Sequence, residues 1–234
     1  MTDKKNRPEK QEETEIPGMD LSSQYSGKKP ILPEGTEQLQ KEMERTKKEF
    51  EKIKSAIVKK YPFIQAIGII APQAAKLLVE DEIGEGIPPE ELQKLQKKTH
   101  LYIIVPEEKF KEIPKIKKEL IAEIDKIKKD VWIYVKTPVD IWEACLDSKF
   151  ELVAAIGMSY PLYDTNILES LRVAEIHKAL VLQKFDKYIV SYIAVGSLFR
   201  GDATSHDIDV ALVVDDTDVK KMSRYELKDK LGAI

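Results

Sequence analysis

Residues 196–210 read GSLFRGDATSHDIDV. A glycine-serine pair stands at one end, two aspartates one residue apart stand at the other, and a polar loop lies between. The flanks are apolar, YIVSYIAV (188–195) before and VALVV (210–214) after. They predict two strands, 188–195 and 207–214. In the second strand, side chains at i and i+2 share a face, so Asp207 and Asp209 project together while Ile208 turns into the core. Two carboxylates so close repel each other unless a divalent cation sits between them. Oxygen ligands in this pattern suit Mg²⁺ (or Mn²⁺), which recruits substrate phosphates as further ligands. Gly196 lets the backbone approach a ligand closely. Ser197 adds a hydroxyl to the free N–H groups of an expected helix start, and Arg200 reaches the same phosphate charge. The stretch therefore predicts a triphosphate at Gly196, Ser197 and Arg200, with metal at Asp207 and Asp209.

Working outward, ILESLRVAEIHKALVLQKF (167–185) has helical periodicity, with Asn166 and Glu169 spaced as an N-cap and its N3 partner. SRYELKDKL (223–231) is a further expected helix. Towards the N-terminus, Leu39, Met43, Phe50, Ile53 and Ile57 define one helix face, which Tyr61-Pro62 ends. FIQAIGIIA (63–71), LYIIV (101–105) and VWIYV (131–135) are expected strands. Residues 72–98 are expected to be a connection with one short helix around Leu92 and Leu95. Ile116, Leu120, Ile124 and Ile127 mark an amphipathic helix, and two more helices are expected over 141–146 and 150–157. Helix, strand, loop, strand and helix thus occur twice, at 36–129 and 167–231, which reads as an internal duplication. Sliding by 126 residues overlays the strand before Ile70-Ala71 on the strand before Gly196-Ser197. Sliding by 107 overlays His100 and Tyr102 on Asp207 and Asp209; both read as ordinary strand residues, with a ligand bound in a repurposed cleft as the other reading.

The stretch 196–210 resembles the signature of the DNA polymerase β-like nucleotidyltransferase superfamily: Gly-Ser, a spacer, then Asp-hydrophobic-Asp in a strand. It looks most like the small prokaryotic (minimal) members, with Gly196, Ser197, Arg200, Gly201, Asp207, Ile208 and Asp209 matching and His206 standing where many members have serine. The resemblance implies metal-dependent transfer of a nucleoside monophosphate from an NTP to an acceptor that the sequence does not name. It also implies a third carboxylate from a following strand, which the chain does not reach before Ile234. The first unit looks like a copy that has lost its site. Its FELVAAIGMSYPLYD (150–164) is similar to the family's closing segment.

The expected organisation is a loosely docked or disordered tail over 1–35, a degenerate nucleotidyltransferase-like unit over 36–165, and the motif-bearing core over 166–234, incomplete at its C-terminus. The fold class is α/β (α+β), with tandem units of small mixed sheets flanked by helices. The alternative function is a non-catalytic nucleotide-binding or assembly module, such as an antitoxin-like partner protein. Self-association or a partner would then cover an open sheet edge.

Composition bounds these readings. With 42% apolar residues the chain can build a core, and its net charge of -3 argues against a protein built to coat nucleic acid. The lysines of 109–129 alternate with glutamates and read as a solvated helix face. Asp215–Asp218 read as a solvated turn, with a substitute metal acid as the other reading; His177 needs no special role, and His206 reads as a solvated loop imidazole, with contact to phosphate or metal as the other reading. Trp132 and Trp142 read as core anchors, and Cys145, the single cysteine, as an inert thiol. No apolar run has the length of a membrane span, so a cytoplasmic protein is expected.

Overall fold

In the computed structural model, the described residues are 36–84, 86–196, 208–215, 217 and 221–232. The expected tail, 1–35, lies outside them. Glu44–Ile234 cluster as one compact unit, and the described part of the other, Met1–Met43, is the start of the first helix.

That helix, α1, spans Thr36–Lys60. Its predicted face is used unevenly: Ile53 and Ile57 are buried and Phe50 is half-buried, whereas Leu39 and Met43 are exposed. The strands β1 (Ala66–Ile69), β2 (Thr99–Ile104), β3 (Val131–Lys136) and β4 (Tyr160–Asp164) form one sheet in the order β3-β2-β1-β4. β1 runs antiparallel to both β2 and β4, and β2 runs parallel to β3. A parallel pair needs a crossover, and α4 (Ile113–Ile124) supplies it.

Both faces of this sheet are covered, which is why β2 is buried almost throughout. On one face Ile67, Leu101, Ile103 and Ile133 pack with Ile53 and Ile57 of α1 and with Ile116, Leu120 and Ile124 of α4. On the other face Ala66, Tyr102, Ile104 and Tyr134 meet a helical roof. That roof is α2 (Ala75–Ile83), α5 (Pro138–Leu146), α6 (Phe150–Gly157) and the start of α7 (Ile167–Phe185). A short α3 (Pro89–Gln96) precedes β2.

The structure corrects several expectations. α2 occupies part of what reads as a connection; Ala75, Leu78 and Val79 are its buried positions. YPLYD is a strand, so the first sheet has four strands where three were expected. The cap of α7 is not Asn166, whose φ of 90° is left-handed and whose side chain makes no capping bond. The left-handed turn instead brings Asp164 over the helix start, where its carboxylate accepts from the backbone N–H groups of Leu168 (3.1 Å) and Glu169 (2.8 Å). Trp142 is exposed rather than a core anchor, while Trp132 packs half-buried against the roofed core.

Among the described residues, the C-terminal half has the order helix, strand, strand, helix, without the helices that separate β1 from β2. After α7 come β5 (Ile189–Val195), β6 (Asp209–Val214) and α8 (Arg224–Gly232). β5 and β6 form a separate antiparallel pair. His177 of α7 lies 3.0 Å from the Tyr192 hydroxyl, so α7 docks on the Tyr192 face of that pair. Val210, Leu212 and Val214 are half-buried, while Asp209, Ala211 and Val213 are exposed. Val195 and Ile193 lie opposite Asp209 and Ala211 and share the exposed face. The molecule is thus a mixed α/β protein of small sheets flanked by helices, and no described helix is long and apolar enough to cross a membrane.

Candidate functional site

The glycine-serine end and the aspartate end of the motif converge through the β5–β6 ladder. Val195 pairs with Asp209, which sets Gly196 beside that carboxylate. A Cβ built on Gly196 would stand 3.4 Å from Asp209 Oδ2, an ordinary contact; what demands glycine is its φ of +120°. Asp209 is exposed and opens β6, whereas Ile208 before it is half-buried. Ser197, Arg200, Gly201, His206 and Asp207 lie outside the described residues, as do Asp216 and Asp218. Asp215 is exposed and accepts from the Thr217 N–H (2.9 Å) and hydroxyl (2.5 Å), the pattern of a solvated turn. Those bonds hold its carboxyl below the usual range.

Asp209 offers a divalent cation one accessible carboxylate. Among the described residues, no three His, Cys, Asp or Glu side chains are grouped to hold a metal.

The corresponding positions of the first sheet have a different chemistry. Tyr102, like Asp209, projects from the face turned away from the helix that precedes its unit. The two overlays differ by one residue in register, because Val195 faces Asp209 but Ile69 faces Leu101. His100 is buried and fully engaged. Its Nε2–H donates to the Leu95 carbonyl (3.0 Å), and its Nδ1 accepts from the Tyr134 hydroxyl (2.9 Å). Because a carbonyl only accepts, Nε2 carries a proton, and in the neutral ring Nδ1 then accepts from the hydroxyl. Burial lowers the His100 pKa, against the opposing pull of the Leu95 carbonyl. His100 is a structural residue, as the sequence reading favoured.

Tyr102 instead lines a cavity of about 190 Å³ between the first sheet and its roof. Asp81 of α2, Lys136 of β3, and Asp140 and Glu143 of α5 also face it. Burial raises the Tyr102 pKa, and the carboxylates of Asp140, Asp81 and Glu82 raise it further. Asp140 is oriented by a capping box: its Oδ2 accepts from the Thr137 N–H (2.6 Å) and hydroxyl (3.0 Å). Lys149 bonds Asp81 (2.9 Å), and Lys136 lies 3.3 Å from Glu82. Sequence reasoning reached this site only through its less favoured reading of Tyr102 and missed the acids. Its acids come from α2, which was read as a connection, and from α5, whose polar face carries no motif. The only signal was the spacing of Ala75, Leu78 and Val79, which would have put Asp81 and Glu82 on a helix.

No family model, curated protein or solved structure matches the chain.

Proposed function

We propose that the chain is a metal-dependent nucleotidyltransferase whose site lies at the end of the β5–β6 pair. The observation that carries this reading is Gly196, with positive φ, set beside the exposed carboxylate of Asp209 in the motif GSLFRGDATSHDIDV. The resemblance to the polymerase β-like superfamily rests on the same residues. Gly196, Ser197 and Arg200 would hold the triphosphate, and Asp207 and Asp209 would hold Mg²⁺ or Mn²⁺. The ion would neutralise phosphate charge at the α-phosphorus. Gly196 would let the triphosphate lie against the backbone, Arg200 would offset its charge, and the acceptor hydroxyl would attack in line as pyrophosphate leaves. A cytoplasmic location, where NTPs are abundant, belongs to the same reading.

Calorimetry with ATP and GTP, with and without Mg²⁺ or Mn²⁺, tests it. Binding is expected only with metal, and is expected to vanish in Asp207→Ala/Asp209→Ala. Equal binding by the double variant would overturn the assignment, and a labelled-NTP assay follows transfer to candidate acceptors.

One observation favours a second reading, that of a non-catalytic assembly module. The face of the β5–β6 pair opposite α7 exposes Ile193, Val195 and Val213. Covering these by another copy would bury apolar area. Light scattering across concentration checks this: a monomer throughout would exclude self-association.

A further inference from the structure

We propose that the cavity roofed by α2, α5 and α6 binds a small organic cation of the amine or guanidine class. The site is separate from the proposed nucleotide site. Its floor is Tyr102, only 4% exposed, whose hydroxyl has no hydrogen-bond partner among the described residues. The hydroxyl opens onto the cavity, where a ligand or water supplies its hydrogen bonds. Tyr134 stacks beside it, with ring centroids 6.2 Å apart. Aromatic faces of this kind attract cations.

The charges point the same way. Asp81, Asp140, Glu143 and Asp147 face the cavity against only Lys136 and Lys149. Both lysines are already engaged, Lys149 with Asp81 (2.9 Å) and Asp147 (3.5 Å), and Lys136 with Glu82 (3.3 Å). An anion would have to break those pairs. The unbalanced negative charge falls on Asp140 and Glu143, one turn apart on α5 and so on one helix face. Asp140 spends Oδ2 on the capping box, leaving Oδ1 without a partner among the described residues. A metal ion is a poor candidate, since these acids are not grouped to coordinate one. A nucleotide is too large, because about 190 Å³ falls below the roughly 300 Å³ at which drug-sized pockets begin. A compact cation with N–H donors satisfies all three features. It donates to Asp140, Glu143 and the oxygen of the Tyr102 hydroxyl, and rests against two aromatic rings.

The test is calorimetry on the full chain with putrescine, spermidine and guanidinium chloride, with magnesium chloride and inorganic phosphate as contrasting probes. Saturable binding of at least one of the organic cations is expected. Glu143→Gln should weaken it about tenfold, the scale of one charge-assisted hydrogen bond, and Tyr102→Phe several-fold. Glu143 is exposed and phenylalanine fills the space of tyrosine, so both variants should unfold at the wild-type temperature. No binding of any organic cation at millimolar concentration would overturn the proposal. So would binding that both variants leave unchanged, or Mg²⁺ or phosphate binding that both variants weaken as they weaken the organic cation.

Discussion

Gly68, in the middle of β1, is where the first sheet most sharply limits what the chain can carry. A Cβ there would stand 2.4 Å from Ser159 Oγ, 3.1 Å from Ser159 Cβ and 3.2 Å from Leu168 Cδ1. The closest atom belongs to a buried hydroxyl with no hydrogen-bond partner among the described residues. Gly68→Ala should therefore cost about 1–3 kcal/mol of overpacking, less the roughly 0.5–1 kcal/mol that alanine gains over glycine in a strand. Ser159→Ala alone should be neutral or stabilising by about 1 kcal/mol, since it deletes an unsatisfied buried group. In the Ser159→Ala background the worst contact is gone, and only those with Ser159 Cβ and Leu168 remain. The Gly68→Ala penalty should then shrink by at least about 1 kcal/mol, well beyond the roughly 0.3–0.5 kcal/mol within which independent sites add. Chemical denaturation of the four proteins reads this coupling, and thermal melts should move by roughly 2–4 °C per kcal/mol. Additive effects would show that β1 and the start of β4 are not in the close contact described.

Two other perturbations test particular contacts. Burial holds the His100 pKa below its ordinary value of 6.5, so the unfolded chain binds a proton where the folded chain does not. Stability should be full above pH 6.5 and fall as pH drops below it; urea midpoints of wild type and His100→Gln between pH 7.5 and 5.5 check this, and an equal slope in both would remove His100 as the cause. At the start of α7, Asp164→Ala should cost about 1–2 kcal/mol by removing a carboxylate that caps two N–H groups. Asn166→Gly should cost nothing, because its φ of 90° suits glycine; the reverse order of effects would return the cap to Asn166.

Where a local rule dominates, the sequence shows the fold. β2, β3 and β5, and the helices α4, α6 and α7, lie close to their expected places because their apolar residues repeat at strand or helix spacing. The misses are places where long-range contact decides. YPLYD carries a proline and little alternation, and is a strand only because β1 offers a free edge to pair with. Asp164 caps α7 because Asn166 bends the chain back, a geometry that capping-box spacing cannot convey. The candidate sites divide the same way. Gly196 and Asp209 are legible because a motif compresses them into fifteen residues. The roofed cavity draws on α2, β2, β3 and α5, so no short window of sequence contains it.

The two sheets solve one problem in opposite ways, and that difference bears on which half can do chemistry. In each half an antiparallel strand pair follows a helix that packs on one face, leaving the other face to be covered or exposed. In the first half, α2 is inserted between the paired strands, and α5 and α6 follow β3; together they close over Tyr102 and leave room only for a small molecule. In the second half, the face of Asp209 is exposed. A triphosphate with its counter-ion needs an accessible face, and a carboxylate there stays hydrated until one arrives. A carboxylate at the position of Tyr102 would instead be buried under a roof that already holds Asp81 and Asp140, and like charges in low dielectric would favour its protonation. Tyrosine at the roofed position and aspartate at the open one are therefore each the residue type that its face can tolerate.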